Sequence, residues 1–281
     1  MTRHQKTAPN ITSKVAAIAV VAGLAPGVGG ADTISGPQGT LFVDDGGSGG
    51  VPVVFLHSFA GDTTHWTAQL EHLRTNRRAI ALDLRGHGQS QPPADGDYSV
   101  AGLVADLAAV TEALKLERFV LVGHSRGGPV AIAYAAENPS QVAALVLVAS
   151  AAKSPPEMAN QVITSLEQDF NTVYAGYAET MLSGAQPGVA TKVRERMLAV
   201  DQATAMAIIK VLFAHDPLPG LTQYAGPTLA ITTTHGDTEM DLHNQADIPH
   251  VPVKDTSHWP QMDKPEEFNR ILDAFLAEHA N

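Results

Sequence analysis

The sequence predicts an α/β domain built on a mostly parallel sheet with helices on both faces, and three observations predict it. Short apolar runs such as those in VPVVFLHS, RAIALDL, RFVLVGH and VAALVLVA recur along the chain, as strands buried on both faces do. Segments with helical periodicity stand between them, so strand and helix alternate as parallel βαβ units require. The length of 281 residues at 44% hydrophobic content suits one large core with an insertion.

Each element follows in order. The opening MTRHQKTAPNITSK carries Arg3, Lys6 and Lys14 ahead of the apolar run VAAIAVVAGLA and the small-residue stretch PGVGGAD. That order is the pattern of a secretory signal peptide, here residues 1–31 with a cut near Ala31 or near Ala25. The run is shorter than the roughly 20 residues a membrane-spanning helix needs, so no stable membrane insertion is expected once the leader is cut. The expected location is periplasmic or secreted. GTLFVDDGGSGGVPVVFLHS reads as two strands around a turn at Gly46–Gly50. A strand follows those glycines where a phosphate-cradling loop would lead into a helix, so they read as a turn. THWTAQLEHL is an amphipathic helix, RAIALDL a strand, and YSVAGLVADLAAVTEAL a helix with Ser99 as its cap. RFVLVGH is a strand, GPVAIAYAAENP a helix and VAALVLVA a strand. Residues 154–224 then show helical patterns and no convincing strand, and read as an inserted helical cap between the core segments 32–153 and 225–281. Val162, Leu166, Phe170, Tyr174, Tyr177 and Met181 recur there at helical spacing, most of them as packing between cap and core. Met158, Met181, Met197 and Met206 add adaptable apolar surface. PTLAITTT and HVPVKD complete the sheet, and KPEEFNRILDAFLAEH is the last helix.

The formal net charge of −11 disfavours phosphate backbones, and nucleic acid is not an expected partner. Zero cysteines exclude disulfides, thiolate metal sites and a cysteine nucleophile. The chemistry lies elsewhere. Gly123, Ser125 and Gly127 spell GxSxG between a predicted strand and a predicted helix, the context of a nucleophile elbow. The turn strains the serine and crowds the positions two residues away, which glycines relieve. The helix that starts beside Ser125 aims free N–H groups at an oxyanion forming there.

With these residues in hand, the chain resembles the α/β-hydrolase superfamily, in its cap-bearing esterase, lactonase and haloperoxidase-like (perhydrolase) branch. The resemblance runs from about Thr40 onward and rests on VVFLHSFAGDTTHW, ALDLRGHGQS, LVGHSRGG and DTSHWPQMDKPEEFNRIL, in that order. It implies oxyanion donors from the backbone N–H groups of Phe59 and Arg126. The usual His-Gly of the first loop is His57-Ser58 here. His258 is implied as the base that takes the Ser125 proton, which a hydroxyl needs near neutral pH. The carboxylate that orients the base is expected after TLAIT, where Asp237 fits first, with Glu239 and Asp241 as alternatives. His57 reads as a brace for the oxyanion loop, His124 as turned away from the nucleophile, and Asp83 and Arg85 as scaffold. His235, Asp237, Glu239, Asp241 and His243 alternate in a loop without a zinc-site spacing, so solvation and capping explain them better than a metal.

The function expected from the resemblance is an exported serine hydrolase that cleaves a carboxylic ester or lactone of a small to medium apolar substrate without cofactor or metal. A perhydrolase, a carbon–carbon hydrolase or a cyanohydrin lyase would keep the same triad. A ligand-binding sensor on the same fold is the expectation from a different class.

Overall fold

The computed structural model describes residues 30–233 and 240–280. The chain runs through β1 (Gly30–Gly36), β2 (Gly39–Gly46), β3 (Val53–Leu56), α1 (Thr67–Leu73), β4 (Ala79–Leu82), α2 (Val100–Ala113), β5 (Phe119–His124), α3 (Gly127–Glu137) and β6 (Val142–Val148). The helices α4 (Pro156–Gln168), α5 (Phe170–Met181), α6 (Pro187–Leu198), α7 (Gln202–Ala214) and α8 (Leu218–Gln223) come next. Then β7 (Thr228–Thr233), α9 (Leu242–Gln245), β8 (His250–Val253), α10 (Pro260–Asp263) and α11 (Pro265–His279) close the described chain.

The strands form one sheet in the order β1-β2-β4-β3-β5-β6-β7-β8. The β1/β2 and β2/β4 pairs are antiparallel and every other pair is parallel. Side chains alternate across it, as a pleat requires. Val54 and Leu56 join one apolar layer with Leu103 and Leu107 of α2 and Val130 of α3, while Val53 and Phe55 join the other with Leu70 of α1 and Leu272 of α11. Both faces are therefore covered, which is why β3, β4, β5 and β6 consist wholly of buried residues.

Three features differ from the sequence reading or fall beside it. The strands flanking the glycine turn are β2 and β3, and they are not neighbours, because β4 inserts between them. The strand β1 was not anticipated: GADTISG has no apolar alternation, and it is held at the edge by a hairpin in which Gly36 pairs with Gly39. The expected leader lies outside the described residues as far as residue 29, and the cut near Ala31 falls at the start of β1. Helices α4 to α8 occupy the stretch expected to form a cap. Leu166, Phe170, Tyr174 and Met197 from it pack with Phe59, Ala60, Tyr98 and Trp259 of the sheet domain in a third apolar cluster. Among the described residues no single helix is long and apolar enough to cross a membrane.

Candidate active site

The loops at the carboxyl ends of β3, β5, β6 and β8 meet on one side of the sheet, the usual place for a site in an open parallel sheet. Ser125 stands between β5 and α3 with φ 50°, a left-handed conformation that a serine adopts only when its surroundings impose it. Its N–H is held by the Val148 carbonyl at 2.8 Å, and its own carbonyl accepts from Gly128 N at 2.9 Å. The two glycines of the motif are sterically required. A Cβ on Gly127 would lie 2.7 Å from the Leu56 carbonyl oxygen, and one on Gly123 would meet the Gly127 backbone.

The loop after β3 is braced by His57. Its Nδ1–H donates to the Ser58 carbonyl at 2.7 Å, and its Nε2 accepts from Leu84 N at 2.9 Å, so one neutral tautomer satisfies both bonds. Burial pushes its pKa down to about 4. At Ser58, the residue that replaces the usual glycine, Oγ accepts from Trp259 Nε1 at 3.2 Å, and the left-handed turn falls on Ala60 at φ 57°. Among the described residues no backbone acceptor takes the Phe59 or the Arg126 N–H.

His258 sits between β8 and α10, half-buried beside the cavity that Ser125 also lines. Its backbone is gripped from two sides. Its N–H donates to the Met181 carbonyl of α5 at 3.1 Å, and its carbonyl accepts from His124 Nε2 at 2.8 Å. His124 is locked in that tautomer because its Nδ1 accepts from Gln261 Nε2 at 3.1 Å. Burial lowers the His258 pKa to about 4. Among the described residues Ser125 Oγ and the His258 ring share the cavity wall without a hydrogen bond to each other, a looseness common before substrate binds.

The residue next to the nucleophile thus does turn away from it, and it is put to use there as a brace for the His258 loop. A second brace is Asp263. Its Oδ2 accepts from Ser257 N at 2.8 Å and Ser257 Oγ at 2.6 Å, and its Oδ1 accepts from Gln186 N at 2.8 Å at the start of α6. Neither role was read from the sequence. The only available signal was a carboxylate five residues after His258 in SHWPQMD. Asp83 and Arg85 are scaffold, since Asp83 accepts from Thr63 N and Gln89 N while Arg85 is forked onto buried Asp106.

Asp237 and Glu239 lie outside the described residues. Asp241 is buried, bridges to Ala151 and lines the same cavity as Ser125 and His258. That cavity has a volume of about 890 Å³. Its lining includes Ser125, His258 and Phe59, and the helices over it contribute mostly apolar residues, among them Met158, Val162, Tyr174 and Ile209 from α4, α5 and α7, with Glu179 and Thr180 of α5 as polar exceptions. The arrangement suits a substrate with an apolar body and one polar reacting group.

Comparison with known proteins agrees with this fold. A family model described as alpha/beta hydrolase fold matches residues 51–187. The chain is 30% identical over 279 residues to the dihydrolipoyllysine-residue acetyltransferase component of the acetoin cleaving system of Pseudomonas putida, covering 89% of this chain and 72% of that protein. A solved N-acyl homoserine lactone degrading enzyme superposes with a TM-score of 0.77 at 25% identity, over 87% of this chain and 100% of that one. A thermophilic esterase from Thermogutta terrifontis superposes with a TM-score of 0.75 at 26% identity, over 89% of this chain and 98% of that one.

Proposed function

Because the chain belongs to the alpha/beta hydrolase fold family, we propose that it is a serine hydrolase that cleaves a carboxylic ester or lactone through an acyl-enzyme. The observation that carries this reading is the strained Ser125, presented with His258 and Phe59 to one largely apolar cavity. Ser125 Oγ bonds to the substrate carbonyl carbon as its proton passes to His258. The carbonyl oxygen becomes an oxyanion held by the Phe59 and Arg126 N–H groups. The tetrahedral adduct collapses, the bond to the leaving oxygen breaks, and His258 returns the proton to the alcohol. Water then repeats the sequence, losing its proton to His258 as it attacks, and releases the acid with Ser125 restored. No cofactor enters any step. Asp237 orients His258 and stabilises its cationic form, with Glu239 and Asp241 as the competing acids.

The acyl group is small to medium and apolar, which suits the mostly apolar helices over the cavity. A lactone-degrading enzyme and an esterase are among the proteins whose structures superpose over most of this chain. The leader pattern points to export, and mass spectrometry of the protein recovered from its native host should find a first residue near Asp32; an intact Met1 on the active protein would exclude export by this leader.

The reading is tested with short-chain p-nitrophenyl esters and a fluorophosphonate probe. Saturable hydrolysis together with labelling at Ser125, both lost in Ser125→Ala, is the expected result. Tight binding of an apolar ligand with neither turnover nor labelling would instead favour a sensor.

A further inference from the structure

Arg126 follows the nucleophile, and its backbone and side chain face different surroundings. The backbone N–H lies at the start of α3, beside Ser125. The side chain runs inward and is only 3% exposed. Nη2 donates to the Tyr98 carbonyl at 3.2 Å, and Nη1 meets no hydrogen-bond acceptor among the described residues. Among those residues no carboxylate pairs with it. The nearby cation Arg85 already holds Asp106 at 2.6 Å and Asp97 at 3.5 Å. The other titratable groups around it are Tyr98 and the buried rings of His57 and His87. The more distant Asp62, which also faces His57, is paired with Arg196 at 2.9 Å.

An arginine taken out of water without a carboxylate is an uncommon and destabilising arrangement, and perturbed charges of this kind gather at functional sites. Burial brings its pKa down only to about 10, so it stays a cation at neutral pH. The reaction proposed above creates a negative charge beside it. The guanidinium can be no farther than the reach of its own side chain, on the order of 7 Å, from the N–H that would hold the oxyanion.

We propose that the Arg126 guanidinium is an electrostatic stabiliser of the oxyanion, a buried cation whose counter-charge appears only in the transition state. The inference rests on the serine acyl-transfer reading. A fixed charge at that range in a site of intermediate dielectric changes the transition-state population by about 30-fold. The same positive potential accounts in part for the depressed pKa values of His57 and His87.

The test compares Arg126→Lys and Arg126→Met in the full chain, with fluorophosphonate labelling of Ser125 followed in each. Arg126→Met keeps an unbranched side chain without charge. It should lose about 30-fold in kcat/KM through kcat, and should lose affinity by the same factor for an alkyl boronic acid, which closes onto Ser125 as an anionic tetrahedral adduct. Arg126→Lys should stay within about fivefold of the parent at pH 7. Burial lowers a lysine pKa, so its kcat/KM should then fall between pH 7 and 9 toward the Arg126→Met value while the parent, whose guanidinium loses its proton only near pH 10, stays flat.

Two results overturn the proposal. One is a folded Arg126→Met within threefold of the parent. The other, which decides the matter if Arg126→Met does not fold, is an Arg126→Lys profile as flat as the parent to pH 9, because shape then suffices. A parent that neither hydrolyses esters nor labels at Ser125 would instead refute the serine hydrolase reading itself.

Discussion

A histidine whose burial holds its pKa near 4 is a weak base at neutral pH, since proton transfer is most efficient when the pKa lies near the operating pH. A carboxylate on the second ring nitrogen favours the protonated form and raises that value, so the true acid partner has two signatures. Asp237→Asn, Glu239→Gln and Asp241→Asn should be made separately. The partner's amide should cost about 10⁴ in kcat and should also move the acidic limb of kcat/KM to lower pH, whereas a bystander changes neither. Asp237→Asn with full activity and an unmoved limb would pass the role to whichever of the other two shows both effects. The elbow makes its own demand: Gly127→Ala, whose Cβ would press on the Leu56 carbonyl, should abolish Ser125 labelling even in folded protein. Ser125 and its glycines were legible in the sequence because the elbow is a five-residue motif between a strand and a helix, although the contact that demands Gly127 is with Leu56 on a neighbouring strand. The partners of His124 were not, since Gln261 and His258 lie more than 130 positions away and no local pattern encodes such a contact.

The helices over the site are joined to its chemistry by few but direct bonds. The Met181 carbonyl at the end of α5 holds the His258 N–H, and Asp263 ties the His258 loop to the start of α6 through Ser257 and Gln186. Seating of α5 and α6 and placement of the base are therefore coupled. Removing the Asp263 carboxylate strands the two buried Ser257 donors, at about 1 kcal/mol each, while Gln186 is exposed and its N–H can turn to water. Asp263→Ala should lower Tm by about 2–4 °C for each kcal/mol and reduce kcat more than it raises KM, because the loop that slackens carries the base. Asp263→Asn retains an acceptor and should recover part of both losses. Equal kcat in the parent and Asp263→Ala, measured well below either Tm, would separate cap seating from catalysis. The alternation of strands and helices was legible because buried parallel strands leave continuous apolar runs. The edge strand β1 left no such run, being held by backbone pairing with β2, and the single-turn helices α9 and α10 are too short for helical periodicity to register.

The molecule as a whole stores a pH dependence in its interior. Burial holds His57 near 4 and His65 near 3, and it keeps His87 and His124 well below the ordinary histidine value. A group whose folded pKa lies below its unfolded value of about 6.5 binds more protons when unfolded. Its full contribution is present above pH 6.5 and is lost as pH falls toward the folded value. Each such histidine contributes up to about 1.4 kcal/mol per pH unit across that window, and four act in the same direction. Two effects oppose them: burial raises the Asp83 pKa, so that carboxyl favours the folded state as pH falls, and the formal net charge of −11 at pH 7 shrinks on acidification, which relieves self-repulsion. Charges spread over the surface are screened within about 10 Å at ordinary ionic strength, so the buried histidines should dominate. Chemical denaturation should give a stability that is nearly level above pH 6.5 and falls steeply from pH 6.5 to 4. His65→Phe removes one of the four, and its curve should be shallower by about one proton between pH 4 and 6.5. Stability that holds constant down to pH 4 would mean that the charged rings are as well solvated in the folded protein as in the unfolded chain.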